Sequence, residues 1–175
     1  MSAKSEALSV EDRLDIQDVL ARCAWALDTA NVDAFVACFC AQGVLIWDAF
    51  EEPDRFVGSD ELRRFASFLR DLPTSAGRQH HVSNTVITSS PEGAHASSYV
   101  TVTLRQGDGP HAVHVMGYYE DDLAREEGRW RIRQRAIRDW SGPVLKDFAG
   151  QNGQRVARLR PAILDGLRTR RRHES

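Results

Sequence analysis

Gln79-His80-His81-Val82-Ser83-Asn84 is the one stretch in which titratable side chains sit inside an apolar, alternating segment, and it opens the part of the chain that sets the fold. Read as a strand, it puts His80, Val82, Asn84 and Val86 on one face and His81, Ser83, Thr85 and Ile87 on the other. The face with two valines is the better candidate for the core, so His80 is expected inward. A slip of one residue in register would exchange it for His81. A histidine titrates near neutral pH, so an inward imidazole beside a carboxylate can serve as a general base, the alternative being a structural histidine at a strand start.

Three further strand-like stretches follow the first, which spans about 79–90: these run over about 94–106, 111–124 and 128–140. They are separated by Pro91-Glu-Gly93, Gly107-Asp-Gly-Pro110 and Glu126-Glu-Gly128. Such spacing predicts an antiparallel meander joined by hairpins. In the last stretch Trp130 and Ile132 agree in phase, whereas Ile137 has the opposite parity. A bulge between them would reconcile the two and turn Arg135 to the inner face, where a guanidinium needs an anion or a carboxylate. Without the bulge, Arg131, Arg133 and Arg135 form a solvated outer face.

Upstream, Ser9-Val-Glu-Asp12 has the form of a capping box and starts a helix running to about Thr29, with Ile16, Leu20, Cys23 and Leu27 at helical spacing and Val19, Ala24 and Trp25 widening the stripe. Asp28 closes this helix at the edge of its apolar stripe, an unfavourable place for an acid against the helix dipole unless something else holds it. Asn31 is placed to cap a second short helix carrying Phe35, Val36 and Phe39. Gly43 then breaks into a strand, Val44-Leu-Ile-Trp47. A third helix follows Gly58, with Ser59 as its expected cap and Pro73 as its stop.

After Trp140-Ser-Gly-Pro143 the composition shifts to a linker around Gly150-Gln-Asn-Gly153 and then to a basic tail, in which Val156, Leu159, Ile163, Leu164 and Leu167 make a helix-like stripe that Pro161 should kink or break. The expected division is an N-terminal arm over 1–9, one domain over 10–145 and a basic helical tail over 146–175. The closing Arg168-Thr-Arg-Arg-Arg172 reads as a solvated end.

At 175 residues, 42% hydrophobic and 27% charged, the chain is long enough for one globular core. A formal net charge of −2 gives no electrostatic reason to expect nucleic acid as the partner. No stretch approaches the ~20 apolar residues of a membrane helix. Three cysteines, Cys23, Cys38 and Cys40, fit neither a zinc nor a redox spacing and read as reduced thiols, so a cytoplasmic location is expected. No metal-ligand spacing, phosphate loop or nucleophile elbow is present, and no cofactor is expected.

The order of elements resembles the SnoaL-like group of the nuclear transport factor 2-like superfamily. The residues that carry the likeness are Ala26-Leu27-Asp28-Thr29-Ala30-Asn31-Val32-Asp33-Ala34-Phe35, Gly58-Ser59-Asp60-Glu61-Leu62, His80-His81-Val82-Ser83-Asn84, Gly117-Tyr-Tyr119-Glu-Asp121 and Gly128-Arg-Trp130-Arg-Ile132. That likeness implies an α+β fold, a cone-shaped barrel of a curved antiparallel sheet packed on N-terminal helices, with an open pocket.

Within the group the chain is similar to enzymes of the scytalone dehydratase, bile-acid dehydratase and hexachlorocyclohexane dehydrochlorinase type. The similarity implies an Asp28-His80 dyad, with Arg135 as an electrostatic stabiliser; Trp25, Trp47, Asn84 and Tyr119 are expected to line the pocket. The tyrosine common five residues before the aspartate is Cys23 here. The expected activity is a cofactor-independent lyase or isomerase acting on a small hydrophobic, polyketide- or steroid-like molecule. A non-catalytic binding or assembly module, like the β subunits of ring-hydroxylating dioxygenases, is the alternative. A homodimer through the exposed sheet face is the expected assembly, trimers also occurring in the group.

Overall fold

The computed structural model describes residues 7–105 and 107–168. Helix α1 (Val10–Asp28) starts as its sequence demands: the Ser9 hydroxyl accepts from the Asp12 N–H at 3.0 Å and the Asp12 carboxylate accepts from the Ser9 N–H at 3.0 Å. Helix α2 (Val32–Ala37) is capped by the Asn31 side chain, which accepts from the Ala34 N–H at 3.0 Å. Strands β1 (Phe39–Asp48) and β2 (Asp54–Val57) form a hairpin, helix α3 (Gly58–Asp71) follows, and Pro73–Ser75 makes a single 3-10 turn. The meander is β3 (Gln79–Ser90), β4 (Gly93–Arg105), β5 (His111–Glu126) and β6 (Arg129–Asp139).

These strands make one sheet in the order β2-β1-β6-β5-β4-β3, antiparallel throughout except for the parallel pair β1-β6. The curved sheet does not close: β2 and β3 are its edges. Each bend has a local cause. The β5-β6 hairpin turns on two residues with positive φ, Glu127 and Gly128, the geometry that matches strand twist. In β1 the register against β6 shifts between Phe39 and Val44, and Gly43 sits in that irregularity because a Cβ there would lie 2.8 Å from the Cys40 carbonyl oxygen.

The register of β6 against β5 also shifts, Leu123 pairing with Ile132 and Asp122 with Gln134, so Arg133 is the extra residue of a bulge. Beyond it Arg135 faces inward beside Ile137, as the parity of the sequence predicts.

The helices fill the concave face. Phe35, Phe39, Phe56 and Phe65 are buried at the centre, with Phe56 and Phe65 ring centroids 5.0 Å apart and Trp47 edge-on to Phe65 at 5.8 Å. Tyr99, Met116 and Trp140, on the outside of the sheet, are exposed. None of the helices among the described residues is long and apolar enough to cross a membrane.

Several expectations are corrected. Strand β2 was not anticipated. Ser59 is not the cap of α3; Val57 holds that position and has no side chain that can accept, while the Glu61 carboxylate accepts the Val57 N–H at 2.6 Å.

The tail is not a separate helical appendage from residue 146. Its described part is a strap across the mouth of the sheet: Arg158 bridges to Phe50, only Ala162–Leu167 is helical, as a 3-10 turn after Pro161, and Leu164 and Leu167 are buried in the core. Burying two leucines contributes about 1.5–3 kcal/mol each. The tail's arginines are neutralised by acids of the body, Arg160 and Arg168 both on Asp54 and Arg158 on Asp139. Arg168 is thus tied down rather than free; the rest of the basic run, 169–172, and residues 1–6 of the arm lie outside the described residues.

Candidate active site

A cavity of about 320 Å³ lies between α1, α3, the strap and the inner face of the sheet. Its walls are mostly apolar, including Leu27, Phe35, Leu45, Trp47, Phe65, Val100 and Ile137, and the strap adds Leu159, Pro161, Ile163 and Leu164. Into this setting the fold brings His80 from β3 and, behind it, Asp28 from the last turn of α1.

The Asp28 carboxylate accepts twice from one residue: the His80 backbone N–H at 2.8 Å on Oδ2 and ring Nδ1 at 2.5 Å on Oδ1. An ionised carboxylate can only accept, so Nδ1 carries a proton, and in a neutral ring Nε2 then presents its lone pair. Both side chains are largely buried, at 7% and 15% exposure, and His80 lines the cavity. Nε2 has no hydrogen-bond partner among the described residues. The acid that opposes the α1 dipole is therefore held by β3. His81, on the other face, is exposed and lies 3.2 Å from the Thr103 hydroxyl, which resolves the choice between the two histidines for the inward position.

Arg135 is inward and buried, but it is not a lone cation. Its Nε and Nη2 donate to both Asp121 oxygens at 2.7 and 2.9 Å, Nη1 donates to Cys23 Sγ at 3.3 Å, and its guanidinium stacks on the Tyr119 ring at 4.4 Å. Asp121 is fully buried, so the pair is closed and close to neutral as a unit. The carboxylate that an inward Arg135 requires is Asp121, and the charge of Arg135 is taken up by it.

Burial pushes the Tyr119 phenol well above its ordinary range, keeping it protonated at the cavity wall. Cys23 is likewise buried and held as a thiol, chiefly by its hydrogen bond with Cys38 and then by desolvation. His114 lines the same cavity with its affinity for a proton lowered, first by burial and then by Arg78 and Arg158.

Trp47 and Tyr119 line the cavity as expected; Trp25 and Asn84 do not. Trp25 is 73% exposed. It lies two positions from both Cys23 and Leu27, about 200° around the helix from each, so it faces the opposite side. Asn84 is the site of a bulge in β3, with φ of 52° and the register shifting between Ser83 and Val86. The bulge reverses the alternation beyond it: Val86 is 63% exposed and Ile87 is buried, the reverse of the simple strand reading.

Sequence reasoning missed Asp121, Arg78 and the strap. Asp121 shares the parity of the buried Tyr119 and Leu123, and Arg78 that of His80, so strand alternation carried both signals. Nothing in the tail's pattern indicated what it would cover. Among the described residues no group of three His, Cys, Asp or Glu side chains could hold a metal ion.

No curated protein matches the chain by sequence. Solved structures do. A protein of unknown function with a cystatin-like fold from Nostoc punctiforme is 28% identical, with a TM-score of 0.66 over 80% of this chain and 100% of its own. A proposed aromatic ring hydroxylase from Novosphingobium aromaticivorans is 25% identical, with a TM-score of 0.66 over 76% of this chain and 92% of its own. A proposed scytalone dehydratase from the same organism, at 20% identity and a TM-score of 0.61 over 75% of this chain and 88% of its own, shares the fold. The fold is thus that of a known scaffold, and residues 8–136, well over half of the chain, match the SnoaL-like domain model, so the chain belongs to the SnoaL-like family.

Proposed function

We propose that the protein is a cofactor-independent lyase or isomerase that removes a proton from carbon in a small hydrophobic molecule. The observation that carries this reading is the Asp28-His80 pair, with one ring nitrogen fixed by the carboxylate and the other directed to an apolar cavity. In the proposed step Nε2 of His80 takes the proton, the C–H bonding pair becomes the π bond of an enolate or alkene, and Asp28 stabilises the imidazolium that forms. The proton then leaves with a departing group, as in dehydration, or returns to another carbon, as in isomerisation. The Tyr119 hydroxyl, kept protonated by burial, is the donor to an oxygen of the substrate. Arg135 with Asp121 is a positioning pair that holds the Tyr119 ring. A volume of about 320 Å³ is at the small end of the ~300–1,000 Å³ typical of ligand sites, which favours one- or two-ring substrates over a tetracyclic skeleton.

Deuterium wash-in tests the reading without knowledge of the leaving group. Small cyclic ketones incubated with the protein in heavy water should gain deuterium α to the carbonyl. His80→Gln should slow this by about 10²- to 10⁴-fold. Binding of the ketones with no exchange would favour a ligand carrier instead, and exchange unaffected by His80→Gln would remove His80 as the base. The exposed Tyr99, Met116 and Trp140 mark the sheet face on which a second copy would pack, and sedimentation should show a dimer that Tyr99→Lys dissociates.

A further inference from the structure

Four arginines line the cavity, and three have carboxylate partners: Arg135 with Asp121, Arg138 with Glu120 and Asp48, and Arg158 with Asp139. The fourth, Arg78, has none. No side-chain or backbone oxygen among the described residues accepts from its guanidinium, and its Nε is buried without a hydrogen-bond partner. Its backbone is nonetheless held in place. The 3-10 turn Pro73–Ser75 takes the Arg78 N–H on the Ser75 carbonyl at 3.1 Å, β3 begins at the next residue, and Arg78 precedes His80 by two, on the same face of the chain.

Arginine keeps its charge, so folding has placed a cation without a carboxylate partner on the wall of an apolar cavity, two residues along the chain from His80. Burial is the main influence on it and disfavours the charged form; Tyr119 and then Asp28 offset this in part, and Asp28 is already committed to His80. A group desolvated in this way and left without an acceptor costs stability, and such a cost at a cavity wall is understandable when a ligand supplies the missing acceptor.

We propose that Arg78 is the anion-binding group of this cavity, and that its ligand is a small hydrophobic molecule carrying a carboxylate, which the guanidinium holds while the apolar body lies against Trp47, Phe65 and Ile137. The planar fork of arginine fits the two oxygens of a carboxylate. The proposal rests on the cavity being the ligand site, the same site assigned above to proton abstraction, and it narrows the substrate to hydrophobic acids with the reacting carbon within reach of His80.

The test is calorimetric binding of 2-naphthoate and 4-phenylbutyrate, each against its methyl ester, near neutral pH. The wild type should bind the acids about ten-fold or more tighter than the esters, the size of one hydrogen bond to a charged group. Arg78→Gln should abolish that preference while leaving ester binding unchanged, and Arg78→Lys should restore part of it. Thermal melting separates this from a structural role: an arginine that supported the fold would lower the melting temperature when replaced, whereas loss of an unpartnered cation should leave it unchanged or raise it. Acids that bind no tighter than their esters, or not at all, would overturn the proposal, as would a preference that survives Arg78→Gln. His80→Gln should retain the preference. Acid selectivity without deuterium exchange would therefore sink the catalytic reading and spare this one, and exchange without acid selectivity would do the reverse.

Discussion

The cavity has two acid–base pairs built from the same ingredients and finished differently. Asp121 and Arg135 face each other in register across β5 and β6, are 0% and 4% exposed, and spend their hydrogen bonds on one another, with the last guanidinium nitrogen on Cys23. Asp28 and His80 meet across a helix end and a strand, and the carboxylate takes one ring nitrogen and leaves the other to the cavity. The first pair is saturated, and its base cannot lose a proton. The second leaves one ring nitrogen of the histidine without a hydrogen-bond partner among the described residues. Two buried carboxylates therefore serve opposite ends, one closing a wall and the other aiming a base.

The contrast is broken most severely at the closed pair. Asp121→Ala leaves a buried guanidinium without its counter-charge, and denaturant unfolding should show a loss of about 3–5 kcal/mol. Replacing both partners, Asp121→Leu with Arg135→Met, should recover most of that loss because no charge is then stranded. If the single and double variants were equally damaged, the pair would matter for its shape and not for its charge.

The open pair should behave in the opposite way. Asp28→Asn removes an acid that opposes the α1 dipole, a gain of about 0.3–1 kcal/mol that offsets part of the weakened hydrogen bonding, so stability should change by no more than about 1 kcal/mol. The nitrogen NMR spectrum of the His80 ring should nevertheless lose its single Nδ1-protonated form, and deuterium exchange should fall. A variant that unfolds as readily as Asp121→Ala would show that Asp28 belongs to the scaffold after all.

Which parts of this arrangement were legible beforehand follows from the range of the interactions involved. Ser9-Asp12 and Asn31 announce their helices because a cap is made within four residues. The bulge that turns Arg135 inward showed as a parity conflict between Ile132 and Ile137 inside one strand. The bulge at Asn84 produced no such conflict: Val82, Val86 and Ile87 are all apolar, so either phase satisfies the pattern, and only pairing with β4 decides it. Trp25 was misplaced because a stripe widened to include every apolar residue reaches the far side of a helix. The strap was invisible for a different reason. It is held by ion pairs to Asp54 and Asp139, a hundred or so residues away for the first, and by two leucines, none of which has a period.

A third carboxylate, Asp12, calibrates the comparison at the surface and has the smallest expected effect. Its oxygens accept from the Trp130 indole, the Ser9 hydroxyl and N–H, and the Arg125 guanidinium, and these hydrogen bonds, Trp130's foremost, hold its carboxyl well below the usual carboxylate range. Because the folded value is the lower one, the unfolded chain binds the extra proton first as the pH falls. The stabilisation is therefore complete above the ordinary carboxylate value of about 4 and declines below it, toward the folded value. Denaturation midpoints of the wild type and Asp12→Asn should differ by a constant amount between neutrality and about pH 5, and converge at lower pH. A gap that stayed constant down to the acid limit would mean that the amide loses hydrogen-bond geometry and not charge. In that case Asp12 would resemble the closed pair, a carboxylate whose role is set by the geometry of its partners.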